Sequence, residues 1–228
     1  MSAARDDILA RVRAALERPP VPGRDAAGVE RRLRACAPNV VPARGGGDHD
    51  GQVATFIAEA ERADATVDRV ASRAHVANAV ARYLAGNNLP TEIRRAPGPD
   101  LDGIDWAEAP SLSVTAGPAR APDPVAVTSA VAGIAETGTL VLLAGPDSPT
   151  TLNFLPDTHI VVMEASRITG SYEDMWKIFR ANAGAAGMPR VVNWITGPSR
   201  TADIEQTLLL GAHGPRRLHV VLIDGEKT

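Results

Sequence analysis

The sequence predicts an α/β fold: a Rossmann-like three-layer domain with a mainly parallel sheet, preceded by an N-terminal helical arm. Three observations carry that expectation. From Gln52 onward, helical patterns alternate with short β-branched or aliphatic runs. The runs at 125–129, 139–143 and 159–163 are bounded by glycine or proline, as buried parallel strands are, and the close spacing suits right-handed crossovers. A length of 228 residues fits one large domain with a small appendage better than two catalytic domains.

Ile8, Leu9, Val12, Ala15 and Leu16 fall on one helical face, which predicts an amphipathic helix over 3–18. Pro19, Pro20, Pro22 and Gly23 stop it, and a second short helix runs to about Cys36. Pro38, Pro42 and the run Gly45, Gly46, Gly47 then form a flexible exit, so residues 1–50 read as arm and linker and 51–228 as the α/β domain. Such an arm can pack on its own domain, a twin subunit or another protein. Helices are expected over 52–63 and 73–85, the second stopped by Gly86 and Asn87. Strands are expected at 66–70, 91–95, 112–115, 125–129, 139–143 and 159–163. Ser171 and Asp174 have the spacing of a helix cap, and Met175, Trp176 and Phe179 give that helix an apolar stripe for the core. A strand at 191–195, a helix over 202–210 closed by Gly211, and a strand at 218–223 complete the chain. In such sheets ligands bind beyond the C-terminal ends of the strands.

Composition narrows the chemistry. The 24 basic and 27 acidic side chains leave a net charge of -3, and no basic and aromatic interleaving points to nucleic acid. No stretch has the length and apolarity of a membrane span, and Asp6 and Asp7 are unlike a signal peptide, so a cytoplasmic protein is expected. Cys36 is the one cysteine, too few for an iron–sulfur cluster, a cysteine zinc site or an internal disulfide. Lys177 and Lys227 are the only lysines, and neither sits in a Schiff-base or phosphate-loop motif. His49, His75, His159, His213 and His219 form no ligand-spaced pair on a helix, so no metal site is expected. The glycine strings of dinucleotide, phosphate-loop and serine-hydrolase sites are also missing.

Three segments can carry chemistry. In GIAETGTLVLL, starting at Gly133, Glu136 sits at a turn before a buried strand. It reads either as a presented base or nucleophile, with Thr137, Gly138 and Thr139 as donors, or as a hairpin carboxylate satisfied by backbone amides. In SPTTLNFLPDTH, starting at Ser148, Asn153 can bind polar groups, and His159 is either a catalytic imidazole or a structural hydrogen-bonding residue. In WITGPSRTADIE, starting at Trp194, Thr196, Gly197, Ser199, Arg200 and Thr201 lead from a strand into a helix start, an arrangement suited to an anion. The plain alternative there is a helix cap, with Arg200 paired to Asp203 or Glu205.

GIAETGTLVL from Gly133, LPDTHIVVMEASRI from Leu155, and TGPSRTADIEQTLLLGAHGPRRLHVVLID from Thr196, in that order, resemble the lactate utilization protein C family, whose members consist of a LUD domain. The resemblance implies a fold related to the sugar-phosphate isomerase and coenzyme A transferase group. It also implies a part in oxidising L-lactate to pyruvate with two iron–sulfur partner proteins. A chain with one cysteine would then hold no cofactor itself and act as a ligand-binding, non-redox subunit. Glu136 and His159 would be its catalytic candidates; Thr137, Gly138, Thr139, Asn153, Thr196, Gly197, Ser199, Arg200 and Thr201 would bind a small anionic metabolite. Two alternatives stand beside it: a free-standing enzyme on a phosphorylated or acyl metabolite with Glu136 as base or nucleophile, and a non-catalytic regulatory module. A homo-oligomer is compatible with each.

Overall fold

A computed structural model describes residues 3–16, 26–121, 123–182, 189–201 and 209–225. The chain separates into two compact units, Met1–Asn39 and Val40–Thr228. The first holds helices α1 (Ala3–Leu16) and α2 (Ala26–Ala35). Ile8, Val12 and Leu16 recur every fourth residue on α1 and are exposed, the stripe expected from the spacing.

The second unit begins with α3 (His49–Arg62), whose start is set by Asp48: its carboxylate accepts the Gly51 N–H at 2.9 Å. Then follow β1 (Thr66–Val70), α4 (Val76–Gly86), β2 (Glu92–Arg95), α5 (Pro99–Asp102), β3 (Ser113–Ala116), β4 (Val125–Ser129), β5 (Ala132–Ile134), β6 (Thr139–Leu143), α6 (Thr151–Phe154), β7 (Thr158–Glu164), β8 (Ile168–Thr169), α7 (Tyr172–Asn182), β9 (Val192–Ile195), β10 (Arg200–Thr201), β11 (Leu209–Leu210) and β12 (Arg217–Ile223). The cap read from Ser171 is present, since Asp174 N donates to Ser171 Oγ and that hydroxyl donates to the Asp174 carboxylate.

Six strands form one parallel sheet in the order β1-β12-β7-β4-β2-β3. Because side chains alternate along a strand, Ile160 and Val162 of β7 face α4, while Val161 and Met163 face α3 and β6. The mixed α/β fold with a mainly parallel sheet, expected from the sequence, is therefore present. A second sheet, β8-β5-β6-β9, lies outside that expectation. Thr139–Leu143 reads like a parallel core strand because it too is buried, but it pairs antiparallel with β5 and β9. One side of this small sheet meets the parallel sheet through Leu140 and Leu142; the other, through Ile134 and Val141, meets Met175 and Phe179 of α7.

The helix expected over 202–210 lies largely outside the described residues. Its last two residues are strand: Leu209–Leu210 pairs antiparallel with Arg200–Thr201, and the Gly211 N–H continues the ladder to the Ser199 carbonyl at 2.9 Å.

Two glycines fasten the small sheet and its loop to the end of α3. Gly138 has φ +63°, and a Cβ there would stand 2.2 Å from Ala60 N; Gly197 has φ +70°, and a Cβ there would stand 2.1 Å from Ala63 O. Both positions combine a left-handed backbone with direct backbone contact, so each excludes a side chain twice over. We predict that Gly138→Ala and Gly197→Ala each lower unfolding stability by about 2 kcal/mol or more, read as the urea midpoint at constant slope. An unshifted midpoint in either variant would show that the loop can leave α3 freely.

Candidate functional site

The ends of β7 and β12 divide the polar residues of the parallel sheet into two groups. At the C-terminal ends, where the sequence analysis looks first for a ligand, charged side chains pair with one another. Arg167 grips Asp100 with both terminal nitrogens, at 2.7 and 3.0 Å, and Arg73 reaches Glu164 at 2.7 Å and the Asp100 carbonyl at 2.7 Å. The Arg167 bond holds the Asp100 carboxyl below its ordinary range. A cavity of about 260 Å³ opens beside Asp100, Ser129 and Ser148, none of which is a candidate from sequence.

At the N-terminal ends lies another cavity of about 260 Å³. It gathers Asn153 and Phe154 from α6, His159 from the start of β7, Leu218 from the start of β12, Trp194 and Ile195 from β9, and the loop Thr196, Gly197, Pro198, Ser199 and Arg200, with His213, Gly214 and Pro215 closing the far side. Six residues singled out by sequence thus line it: Asn153, His159, Thr196, Gly197, Ser199 and Arg200. Thr201 belongs to β10 and is not on that lining.

Burial decides what these groups can do. His159 is 1% exposed and shares a 2.7 Å hydrogen bond between Nε2 and Thr128 Oγ1. Desolvation pushes its pKa down to about 3, so the imidazole is neutral near pH 7. Asn153 is also 1% exposed, and neither Oδ1 nor Nδ2 of its carboxamide has a hydrogen-bond partner. A buried amide left so costs about 1–3 kcal/mol, and such an orphan calls for a specific account. Arg200 stands on the rim, where Nη2 donates to Ala63 O at 2.8 Å and pairs with the Asp64 carboxylate. Its partner is therefore at the end of α3; Asp203 and Glu205, the partners considered from sequence, lie outside the described residues. Gly197 earns its place by its close approach to Ala63.

The Gly133 segment is placed apart from the cavity lining. β5 and β6 form a hairpin, and Glu136 in its turn is 5% exposed. Its Oε1 accepts the Tyr172 N–H at the start of α7 at 3.1 Å, while Oε2 has no hydrogen-bond partner. One backbone amide, at the start of α7, thus meets the carboxyl group, as in the hairpin reading. Gly138 packs on Ala60. Thr137 and Thr139 join Tyr172 in a hydroxyl cluster, and Thr139 Oγ1 lies 2.6 Å from Thr196 Oγ1, linking the cluster to the cavity wall.

Tyr172, Thr128, Trp194 and Phe154 were not among the sequence candidates. Trp194 borders the cavity while its ring packs on α7, with centroids 5.2 Å from Tyr172 and 5.4 Å from Trp176; the WITG string marks it only as a strand residue. Among the described residues no group of three or more histidine, cysteine or acidic side chains is placed to hold a metal ion. Among them, too, no helix is long and apolar enough to cross a membrane.

Residues 124–223 match the family model of the LUD domain. Lactate utilization protein C of Bacillus subtilis is 36% identical over 101 residues, 44% of this chain and 42% of that protein. The protein of the same name from Anoxybacillus flavithermus is 38% identical over 92 residues, 40% of each chain. An uncharacterized protein of Neisseria meningitidis serogroup B is 40% identical over 96 residues, 42% of this chain and 40% of that one. The chain thus spans about two-fifths of the length of these relatives. The crystal structure of a DUF162 family protein from Deinococcus radiodurans has the same fold, with 24% identity, a TM-score of 0.57 and coverage of 78% of this chain and 99% of that one. The resemblance to the lactate utilization protein C family read from the motifs holds over this C-terminal segment.

The buried imidazole has a measurable signature. Below about pH 6.5 an unfolded histidine binds a proton that folded His159 refuses until about pH 3, so the unfolded chain is favoured as pH falls through that window. His219, held down to about 4 by burial, adds to the loss over the upper part of the same window. Each histidine is expected to contribute about 1.4 kcal/mol per pH unit there. We predict that His159→Gln removes one of these shares, flattening the fall of the urea midpoint between pH 6.5 and 4.5. Parallel pH profiles for the two proteins would refute a buried neutral His159.

Proposed function

We propose, from the match of residues 124–223 to the LUD domain and the geometry of the Asn153 cavity, that this chain serves a lactate-utilization system as its ligand-binding, non-redox subunit. The observation that carries the reading is the Asn153 carboxamide: a buried donor and acceptor, both without a protein partner, at a cavity large enough for a three-carbon acid. A small 2-hydroxy acid offers what such a wall lacks, with carboxylate oxygens to accept from Nδ2 and one hydroxyl proton for an acceptor on the lining. Ser199 and the guanidinium of Arg200 at the rim supply donors for the carboxylate, and Phe154, Trp194 and Leu218 exclude water around the methyl end.

Oxidising L-lactate to pyruvate removes two electrons and two protons. With Cys36 as the one cysteine in 228 residues, the chain cannot furnish the thiolates of a cluster that would take those electrons. They pass, in this reading, to iron–sulfur partner proteins, and the chain contributes binding and orientation. The alternative of a free-standing enzyme that uses Glu136 as base or nucleophile draws less support, because that carboxylate is buried in the β5–β6 turn, off the cavity lining, and accepts a bond from the Tyr172 amide.

Calorimetric titration with L-lactate, D-lactate, pyruvate and acetate tests the proposal. We expect saturable L-lactate binding that Asn153→Ala weakens by about tenfold and Arg200→Ala by a similar factor. Failure of all four acids to bind, or binding unchanged in both variants, would rule the cavity out as the site. Tagged protein from lactate-grown cells should also retain cysteine-cluster proteins; a clean single species would count against the subunit role.

A further inference from the structure

The hydroxyl cluster behind Thr196 sets which ligand groups that residue can receive. Thr137 and Thr139 lie 2.7 Å apart, Thr139 and Tyr172 2.8 Å, Thr137 and Tyr172 3.2 Å, and Thr139 and Thr196 2.6 Å, all measured between hydroxyl oxygens. Each hydroxyl has one proton to give and two lone pairs to receive with. Four contacts among four hydroxyls therefore consume all four protons. Thr137 donates to Tyr172, so the ring runs from Thr137 to Tyr172 to Thr139 and back, each oxygen giving one bond and taking one. Thr139 has then spent its proton inside the ring and meets Thr196 with its second lone pair. Thr196 must be the donor in that contact. Thr139 is fully buried, so no water reaches its oxygen to replace a lost bond.

Thr196 lines the cavity, and with its proton committed inward it offers the cavity lone pairs only. We propose that Thr196 is a specificity-determining acceptor that selects a ligand carrying a hydroxyl donor, a 2-hydroxy acid, over the matching 2-oxo acid, with Thr139 and Tyr172 as positioning residues that hold it in this state. A carbonyl oxygen at the same point would face lone pair against lone pair, and relief would require breaking the ring. The proposal rests on the reading of this cavity as a carboxylic-acid site and adds the sense of its selectivity: it holds the reduced member of the pair and lets the oxidised one go.

The test compares Kd for L-lactate and pyruvate by calorimetry in the full chain, with cyclohexanol and cyclohexanone as an uncharged alcohol and ketone pair followed by saturation-transfer NMR. Wild type is expected to prefer L-lactate by about tenfold, the worth of one hydrogen bond. Thr139→Val frees the Thr196 proton, so pyruvate should bind more tightly than to wild type and the ratio should fall to within about twofold. Thr139→Ser, which keeps the hydroxyl, should keep the ratio. A merely structural role for Thr139 would weaken both acids together, and that result, or an unchanged ratio in Thr139→Val, overturns the proposal. Should Thr139→Val fail to fold, Thr196→Val serves instead: lactate weakens about tenfold and pyruvate changes by less than about twofold, and equal losses overturn it. If neither acid binds wild type, the lactate reading falls and the uncharged pair decides. Preference for the alcohol, lost in Thr196→Val, sustains the acceptor; no preference overturns it.

Discussion

The contact on which the rest of the second unit depends is the seating of two loops on the last turn of α3. A parallel sheet needs both faces covered, and here one face is covered by α4 and its neighbours and the other by α3 together with the small sheet. The small sheet is held to α3 where Gly138 meets Ala60 and Gly197 meets Ala63, backbone against backbone. Arg200 adds a charged tie to Asp64 and the Ala63 carbonyl. The cavity exists because the loop from Thr196 to Arg200, fixed in this way, stands opposite the start of β7 rather than collapsing onto it.

That arrangement assigns different chemistry to the two edges of the sheet. At the C-terminal edge, Arg73, Asp100, Glu164 and Arg167 neutralise one another. Partly exposed pairs of this kind contribute little energy singly, but a bidentate arginine fixes geometry well. At the N-terminal edge, burial removes charge instead: His159 is neutral, Asn153 is uncharged, and the nearby polar groups are hydroxyls. The usual preference for ligands at the C-terminal edge depends on loops free to receive them, and here the candidate residues stand at the other end.

Much of this was legible in the sequence, and what was hidden has a physical reason. Strand β1 spans Thr66–Val70, the run expected from the sequence, and the Ser171 cap falls where its spacing puts it. Asn153, His159, Thr196, Ser199 and Arg200 were identifiable as polar residues next to strand ends, which is where cavities form in α/β domains. The second sheet was not legible: β5 has three residues and β8 two, too short to show a period. Thr139–Leu143 is apolar on both faces because it is buried between α7 and the parallel sheet, so its composition could not tell antiparallel from parallel pairing. Both readings of Glu136, presented or satisfied by backbone amides, stay open in the sequence because nothing local reveals that the Tyr172 amide at the start of α7 donates to it. Tyr172 carries no local signal beyond its place after Ser171, yet its phenol closes the hydroxyl ring.

The neutral His159 has a further consequence for any guest. A cavity with a neutral His159 and an uncharged Asn153 within and the guanidinium of Arg200 at the mouth has a built-in polarity. An ionised carboxylate pays least by staying at the mouth, and an uncharged end pays least by going in first. A guest of the kind proposed would therefore be sorted by its orientation before any contact sorted it by identity.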